Sequence, residues 1–348
     1  MSVYKCFDWQ SYLWKNFWRQ SETLHHALLL SGPEGIGKGR FATAVAARLL
    51  CERRESHSAC GECDACRWFA AGNHPDYRKV SLETVDGGED GAGAEPPKGA
   101  KKAPPTQIRI DQIRALEDFV FVGSHRQGRR VVLIDPADAL NPAAANSLLK
   151  MLEEPPPSVY FLLITSKIKS LLPTLRSRCR KIVFPLPETA EATRWLSEQG
   201  VADAERALRF SAGAPLKALG HDQEKGARDS VDQVFAALVR SPSDPIALAA
   251  QWDSLLRGST SLNAEQLVDA LQKWLYDVIR CRHGAAPRYL PTFAKELGRV
   301  ATASSSVRLL RFHRDLMKIR ATARHPLNPQ LFLEDVAARY SQATAAGR

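Results

Sequence analysis

Three groups of residues have types and spacing that carry chemistry: a cysteine cluster, a glycine-rich turn ending in lysine, and an apolar strand ending in aspartate. Cys51, Cys60, Cys63 and Cys66 follow the pattern C-x8-C-x2-C-x2-C. Tetrahedral Zn²⁺ takes four sulfur or nitrogen ligands. Two C-x-x-C pairs sharing Cys63 turn the chain tightly enough to supply three, and Cys51, at the end of a helical stretch, returns the fourth. Four thiolates leave no open coordination position, so the ion expected here is structural. The alternatives are free buried thiols, or His57 and His74 as poorer ligands. Cys6, Cys179 and Cys281 are scattered.

The glycine-rich turn is Ser31-Gly32-Pro33-Glu34-Gly35-Ile36-Gly37-Lys38-Gly39, fed by the apolar run Leu28-Leu29-Leu30. Gly32, Gly35 and Gly37 can turn backbone N–H groups toward a phosphate at a helix N-terminus, and Lys38 can reach it. Gly39 stands where a serine or threonine hydroxyl would ligate Mg²⁺. The acidic strand end is Asp135, after Arg129-Arg130-Val131-Val132-Leu133-Ile134. In a P-loop ATPase this aspartate holds Mg²⁺, and a glutamate beside it activates water. Here the next residue is Pro136. The parts that hold ATP or ADP are kept and two parts that hydrolyse it are missing, so nucleotide binding itself stays open.

These groups need elements to position them. Apolar residues 9, 13, 14, 17 and 18 trace one helical face, read as a helix packed on the core. Leu28–Leu30, 77–82, 129–135, 160–165 and 181–184 read as strands, with helical patterns at 41–50, 108–122 and 143–154 between them. Asn141-Pro142 is a cap followed by a first-turn proline, and Pro155-Pro156-Pro157 ends that helix. Strands alternating with helices predict an α/β fold with a parallel sheet covered on both faces. Residues 84–106 are dominated by Gly, Pro, Glu, Asp, Lys and Ala, a composition that buries no core, and read as a flexible insertion. Beyond Pro187 the strand signal ends. A short helical section spans 188–220, and a longer one runs over 226–340 with helical stretches at 230–240, 264–281 and 304–324. Arg311, Arg314 and Lys318 share a face there, read as a solvated face over a DNA-contacting stripe.

At 348 residues and 44% hydrophobic, the chain suits a globular protein of two or three domains. A net charge of +10 is compatible with nucleic acid or an acidic partner. No apolar run reaches a membrane span and the N-terminus has no signal-peptide core, so a cytoplasmic location is expected, where a cysteine cluster favours metal over disulfides.

Taken in order, the phosphate loop, the cysteines behind its helix, Asn146-Ser147-Leu148-Leu149-Lys150-Met151-Leu152-Glu153-Glu154-Pro155 and Ser177-Arg178-Cys179 closely resemble the AAA+ subunits of bacterial sliding-clamp loaders. The resemblance covers residues from about 25 to 220, and the helical remainder fits the family's collar in kind. It implies an AAA+ P-loop module over 1–186 with a zinc module at about 51–66, a helical lid domain over 187–222, and an all-α collar or oligomerisation domain over 223–348. The motor subunits, gamma/tau, carry a complete G-K-[ST] loop and a D-E pair. Gly39 and Pro136 set this chain with a branch that lacks them, and the delta subunit is a poorer match because it lacks the zinc cluster and the S-R-C triplet. The resemblance makes Arg178 an arginine finger reaching ATP on a neighbouring motor subunit, and Thr165 the sensor residue. It places a second-sensor position near Gly213-Ala214-Pro215, with Lys217 the nearest cation. The implied partners are gamma/tau and delta subunits, the sliding clamp and, through the complex, primer-template DNA. Two other readings stay open: a working ATPase that uses Lys38 and Asp135 with a substitute base, and a zinc-stabilised DNA-binding protein with no ATPase partner.

Overall fold

A computed structural model describes residues 4–19, 24–53, 57–82, 106–121, 128–223, 227–240, 244–258, 262–323 and 328–345. The expected flexible insertion at 84–106 lies outside the described residues except for Thr106. The chain forms two units, residues 1–191 and 192–348.

In the first unit a short 3₁₀ turn, Asp8–Gln10, runs into α1 (Ser11–Arg19). The order is then β1 (Ala27–Ser31), α2 (Lys38–Leu50), α3 (Asp64–Ala70), β2 (Tyr77–Val80), α4 (Ile110–Phe121), β3 (Arg130–Ile134), α5 (Pro142–Glu153), β4 (Val159–Thr165), α6 (Pro173–Ser177) and β5 (Arg180–Val183). The sheet has strand order β2-β3-β4-β1-β5 and every pairing is parallel. Every residue of β1 and β3 is buried, as an apolar run covered on both faces requires. One face packs Ile113, Leu116 and Val120 of α4 and Leu148, Met151 and Leu152 of α5 against Val132, Ile134, Phe161 and Leu163. Elsewhere in the unit Trp14 and Phe17 of α1 and Phe184 each meet Phe41 of α2 edge-on, with ring centroids 5.0 to 5.9 Å apart.

Local signals explain the helix ends. The Asn141 side-chain oxygen accepts the Ala144 N–H at 2.7 Å and Pro142 opens α5. Beyond its end, Pro155 to Pro157 supply no N–H to continue the ladder. The predicted N-terminal helix begins two residues later than the apolar pattern: Trp9 lies in the 3₁₀ turn, stacked on Phe7.

The boundary between the units falls within α7 (Thr189–Glu198). The second unit continues through α8 (Ala204–Phe210), α9 (Pro215–Gln223), α10 (Ala227–Arg240), α11 (Pro245–Gly258), α12 (Ala264–Arg282), α13 (Ala294–Ala303), α14 (Ser306–Thr322) and α15 (Pro329–Thr344). Ala192, Leu196, Leu208 and Ala218 form a small core among α7 to α9. A larger one gathers Phe235, Trp252, Trp274 and Tyr340, with the Trp274 indole N–H donating to the Tyr340 hydroxyl at 3.1 Å. Fully buried Asp277 of α12 accepts the N–H groups of Arg288, Tyr289 and Leu290 at 2.7 to 2.8 Å and fixes the loop ahead of α13. On α14, Leu309, Phe312 and Leu316 face that core, while Arg311, Arg314 and Lys318 are exposed. Among the described residues no helix is long and apolar enough to cross a membrane.

Candidate functional site

The glycine-rich turn links the C-terminal end of β1 to the start of α2, beside the end of β4, with Ser31 in register with Thr165. Gly37 has φ +92°, and a Cβ there would lie 2.5 Å from the Phe7 ring. Gly32 has no room either: its Cβ would meet the Phe184 carbonyl oxygen at 2.6 Å. Gly35 also adopts a positive φ, of 77°. The turn is therefore held in a shape that glycine alone supplies.

Lys38 opens α2 and is buried. Its ammonium donates to Gly32 O at 2.8 Å, Pro33 O at 2.5 Å and Ser166 Oγ at 3.0 Å. An ammonium has three protons, so each already has an acceptor within the protein. Burial pushes the Lys38 pKa down, against the opposing pull of Asp135, Glu34 and Asp138.

Gly39 and Asp135 do face each other: a Cβ on Gly39 would lie 3.3 Å from Asp135 Oδ2. The two sequence positions that hold Mg²⁺ in a P-loop ATPase are thus brought together, with the hydroxyl missing from one. Burial raises the Asp135 pKa, an effect that Lys79 and Lys38 only partly offset. Thr165, fully buried, donates its hydroxyl to Asp138 Oδ1 at 2.7 Å. The same oxygen accepts the Ser166 N–H at 3.1 Å.

An N-terminal clasp closes on this turn. The Trp9 indole N–H and the Gln10 amide both donate to the Ile36 carbonyl, at 3.1 and 3.0 Å. Arg40 donates to Lys5 O at 2.8 Å and lies 4.3 Å from the Phe7 ring centroid. Asp138, Ser166, Trp9 and Gln10 were not readable as parts of the site, because only the fold brings them to it.

The cysteine cluster forms a second centre. Cys51 caps the C-terminus of α2, Cys63 precedes α3, and Cys66 sits in its first turn. The four Sγ atoms lie within 4.8 Å of one another, Cys60 and Cys66 3.8 Å apart. A tetrahedron with Zn–S bonds of about 2.3 Å sets neighbouring sulfurs about 3.8 Å apart, so the four thiols fit a zinc ion. Backbone N–H groups are aimed at the sulfurs: Cys60 N–H at Cys51, and Glu62 and Cys63 N–H at Cys60, each at 3.4 Å. For Cys60, burial works upward, but the Glu62 and Cys63 N–H groups, together with hydrogen bonds from the Cys63 and Cys51 thiols, outweigh it and bring its pKa to about 6. Burial raises Cys51 and Cys66. The cluster is tied in by Tyr4, whose hydroxyl donates to Cys66 O at 2.9 Å, and by Arg53 and Glu62, 2.8 Å apart. His74 is engaged elsewhere: its Nδ1 accepts the Asp76 N–H at 3.1 Å.

Arg178 follows α6, between buried Leu175 and Cys179. Its side chain reaches the surface and its Nη2 lies 2.6 Å from Glu153 Oε1. Lys217, on α9, belongs to the second unit, where its charge acts on Asp269.

A parallel sheet in the order β2-β3-β4-β1-β5, with a phosphate-loop turn after β1 and an aspartate at the end of β3, defines a P-loop module of the AAA+ clamp-loader type. Here a helical C-terminal domain follows it. Residues 10–188 match the family described as "DNA polymerase III, delta subunit", and residues 223–342 match "DNA polymerase III, delta subunit, C terminal". DNA polymerase III subunit delta' of Pseudomonas aeruginosa is 39% identical over 257 residues, 72% of each chain. Its counterpart in Escherichia coli is 33% identical over 267 residues, 75% of this chain and 72% of that one. A gamma subunit-related protein of DNA polymerase III from Thermotoga maritima superposes with a TM-score of 0.46 at 16% identity, covering 97% of this chain and 100% of the other. The chain belongs to the delta' subunit family of the DNA polymerase III clamp loader, and its work lies in DNA replication.

Proposed function

We propose that this chain is the non-hydrolysing arm of a clamp loader, donating Arg178 to ATP bound on a neighbouring gamma/tau subunit. The observation that carries the reading is the state of Lys38, whose three ammonium protons are taken by Gly32 O, Pro33 O and Ser166 Oγ. The lysine that would grip a phosphate instead ties the loop to itself. Gly39 offers no hydroxyl to a metal and Pro136 no base, so hydrolysis lacks two further parts. Arg178, by contrast, is kept at the surface, where a guanidinium can reach a phosphate supplied by another chain.

In this reading the partners are gamma/tau and delta subunits, the sliding clamp that the complex opens, and primer-template DNA on which it is closed, all in the cytoplasm. Residues 1–186 form the AAA+ module, 187–222 a lid and 223–348 the collar. Cys51, Cys60, Cys63 and Cys66 hold a structural Zn²⁺ that clips the loop between α2 and α3.

The test is ATP turnover by the reconstituted complex with clamp and primed DNA. An arginine finger contributes about 10³-fold or more at its own site. Arg178→Ala is therefore expected to silence the one site it serves and lower total turnover by that site's share, while the isolated chain turns over no ATP. Turnover by the isolated chain, or an unchanged complex with Arg178→Ala, overturns the proposal.

A further inference from the structure

The guanidinium of Arg178 is held in place by more than its own backbone. Leu175 and Cys179, both buried, anchor the chain on either side, and Nη2 lies 2.6 Å from Glu153 Oε1. Glu153 is the last residue of α5. A carboxylate at a helix C-terminus faces the negative end of the helix dipole, so helix stability does not account for its placement there. The platform under it is fixed as well: His26 Nε2 donates to the carbonyl of the neighbouring Leu152 at 3.1 Å. His26 in turn precedes β1, and its own carbonyl accepts the Phe161 N–H of β4 at 2.7 Å. A chain of contacts thus runs from the central strands, through the end of α5, to the tip of Arg178.

We infer that Glu153 is a positioning residue for Arg178. It holds the guanidinium by Nη2 and leaves Nη1 and Nε for a phosphate on a neighbouring subunit. This rests on the finger reading of Arg178 proposed above. A long arginine side chain at a surface samples many rotamers, and fixing one edge beforehand removes that loss from the moment of reaction. The pair is half exposed, at 38% for Arg178 and 46% for Glu153. Exposed pairs of this kind contribute little to stability, so its effect should appear in turnover and not in folding.

The experiment compares ATP turnover of the reconstituted complex carrying wild type, Arg178→Ala, Glu153→Ala, Glu153→Gln, or both alanine changes. Glu153→Ala is expected to lower kcat at the dependent site about tenfold, with KM little changed, as misplacement of a catalytic group does. Glu153→Gln should keep most of the activity, since its amide oxygen still accepts from Nη2. The double variant should match Arg178→Ala alone, and the melting temperature of Glu153→Ala should equal that of wild type. The inference is overturned if Glu153→Ala turns over like wild type or faster, if the two losses multiply, or if Glu153→Gln is no better than Glu153→Ala. A complex with Arg178→Ala that turns over ATP like wild type removes the finger reading itself and this inference with it. An active loss in Arg178→Ala with none in Glu153→Ala removes only the inference.

Discussion

Replacing Lys38 by methionine keeps the aliphatic stem and removes the ammonium, which separates a structural lysine from a phosphate-binding one. The change leaves three acceptors without their donor: Gly32 O, Pro33 O and Ser166 Oγ. Pro33 and Ser166 are exposed, so water can replace the ammonium there, whereas Gly32 is half-buried. A buried acceptor left without a partner costs about 1–3 kcal/mol. Against this, methionine no longer carries a charge that burial disfavours, the effect that pushes the lysine pKa down. The net expectation is a loss of about 1–2 kcal/mol, confined to the first unit. Because the chain has two units, a single unfolding midpoint is not enough. Native-state hydrogen exchange at amides of β1 and α2 reads the first unit alone.

The same variant should leave turnover of the reconstituted complex within about twofold of wild type, since on this reading the lysine serves no nucleotide. Saturating ATP should not stabilise the wild-type chain; a ligand at a hundred times its Kd would add about 2.7 kcal/mol. The reasoning is refuted if Lys38→Met is as stable as wild type and ATP stabilises the wild type but not the variant. That pattern would mean the ammonium leaves its three acceptors for a phosphate.

Chelation of the zinc expected at Cys51, Cys60, Cys63 and Cys66 should lower the melting temperature of the first unit by several degrees, equivalent to about 1–2 kcal/mol, with Cys60→Ser doing the same. Metal analysis should find one zinc per chain, and a melting temperature indifferent to chelation would discard the site. Acid should act through His26. Burial, then the charge of His25, holds the His26 pKa below its ordinary 6.5, against the contact with Leu152 O that works upward. The unfolded chain therefore binds the proton more readily, so this stability is present above pH 6.5 and is lost as pH falls through the depressed value. His26→Asn should flatten that slope at amides of α5 and β4; an unchanged slope would refute it.

What the sequence made legible follows from how local each signal is. Strands buried on both faces announce themselves as unbroken apolar runs, so β1, β3 and β4 were placed within a residue or two. A cap is equally local, which is why Asn141-Pro142 marked the start of α5. The same dipeptide recurs at Asn328-Pro329, where the Asn328 side-chain oxygen accepts the N–H groups of Gln330 and Leu331 at 3.0 and 3.2 Å. The start of α15 carries the same local signal, although the apolar pattern that follows it is less regular than in α12. Cysteine spacing is local too, and it brought four sulfurs within 4.8 Å. The loop was legible as a shape, not as a state. Nothing in Gly32-x4-Gly37-Lys38 distinguishes an ammonium waiting for phosphate from one folded onto Gly32 and Pro33. Ser166, at the end of β4, supplies the ammonium with its third acceptor, and Trp9 and Gln10 clasp the loop at Ile36; neither contact is visible in the motif. Glu153 and Arg178 show the same limit: both belong to recognisable motifs, 25 positions apart in sequence, yet only the packing of α6 beside α5 puts their charges 2.6 Å apart. A motif therefore names which groups are present, and the contacts between motifs decide whether those groups are free to act.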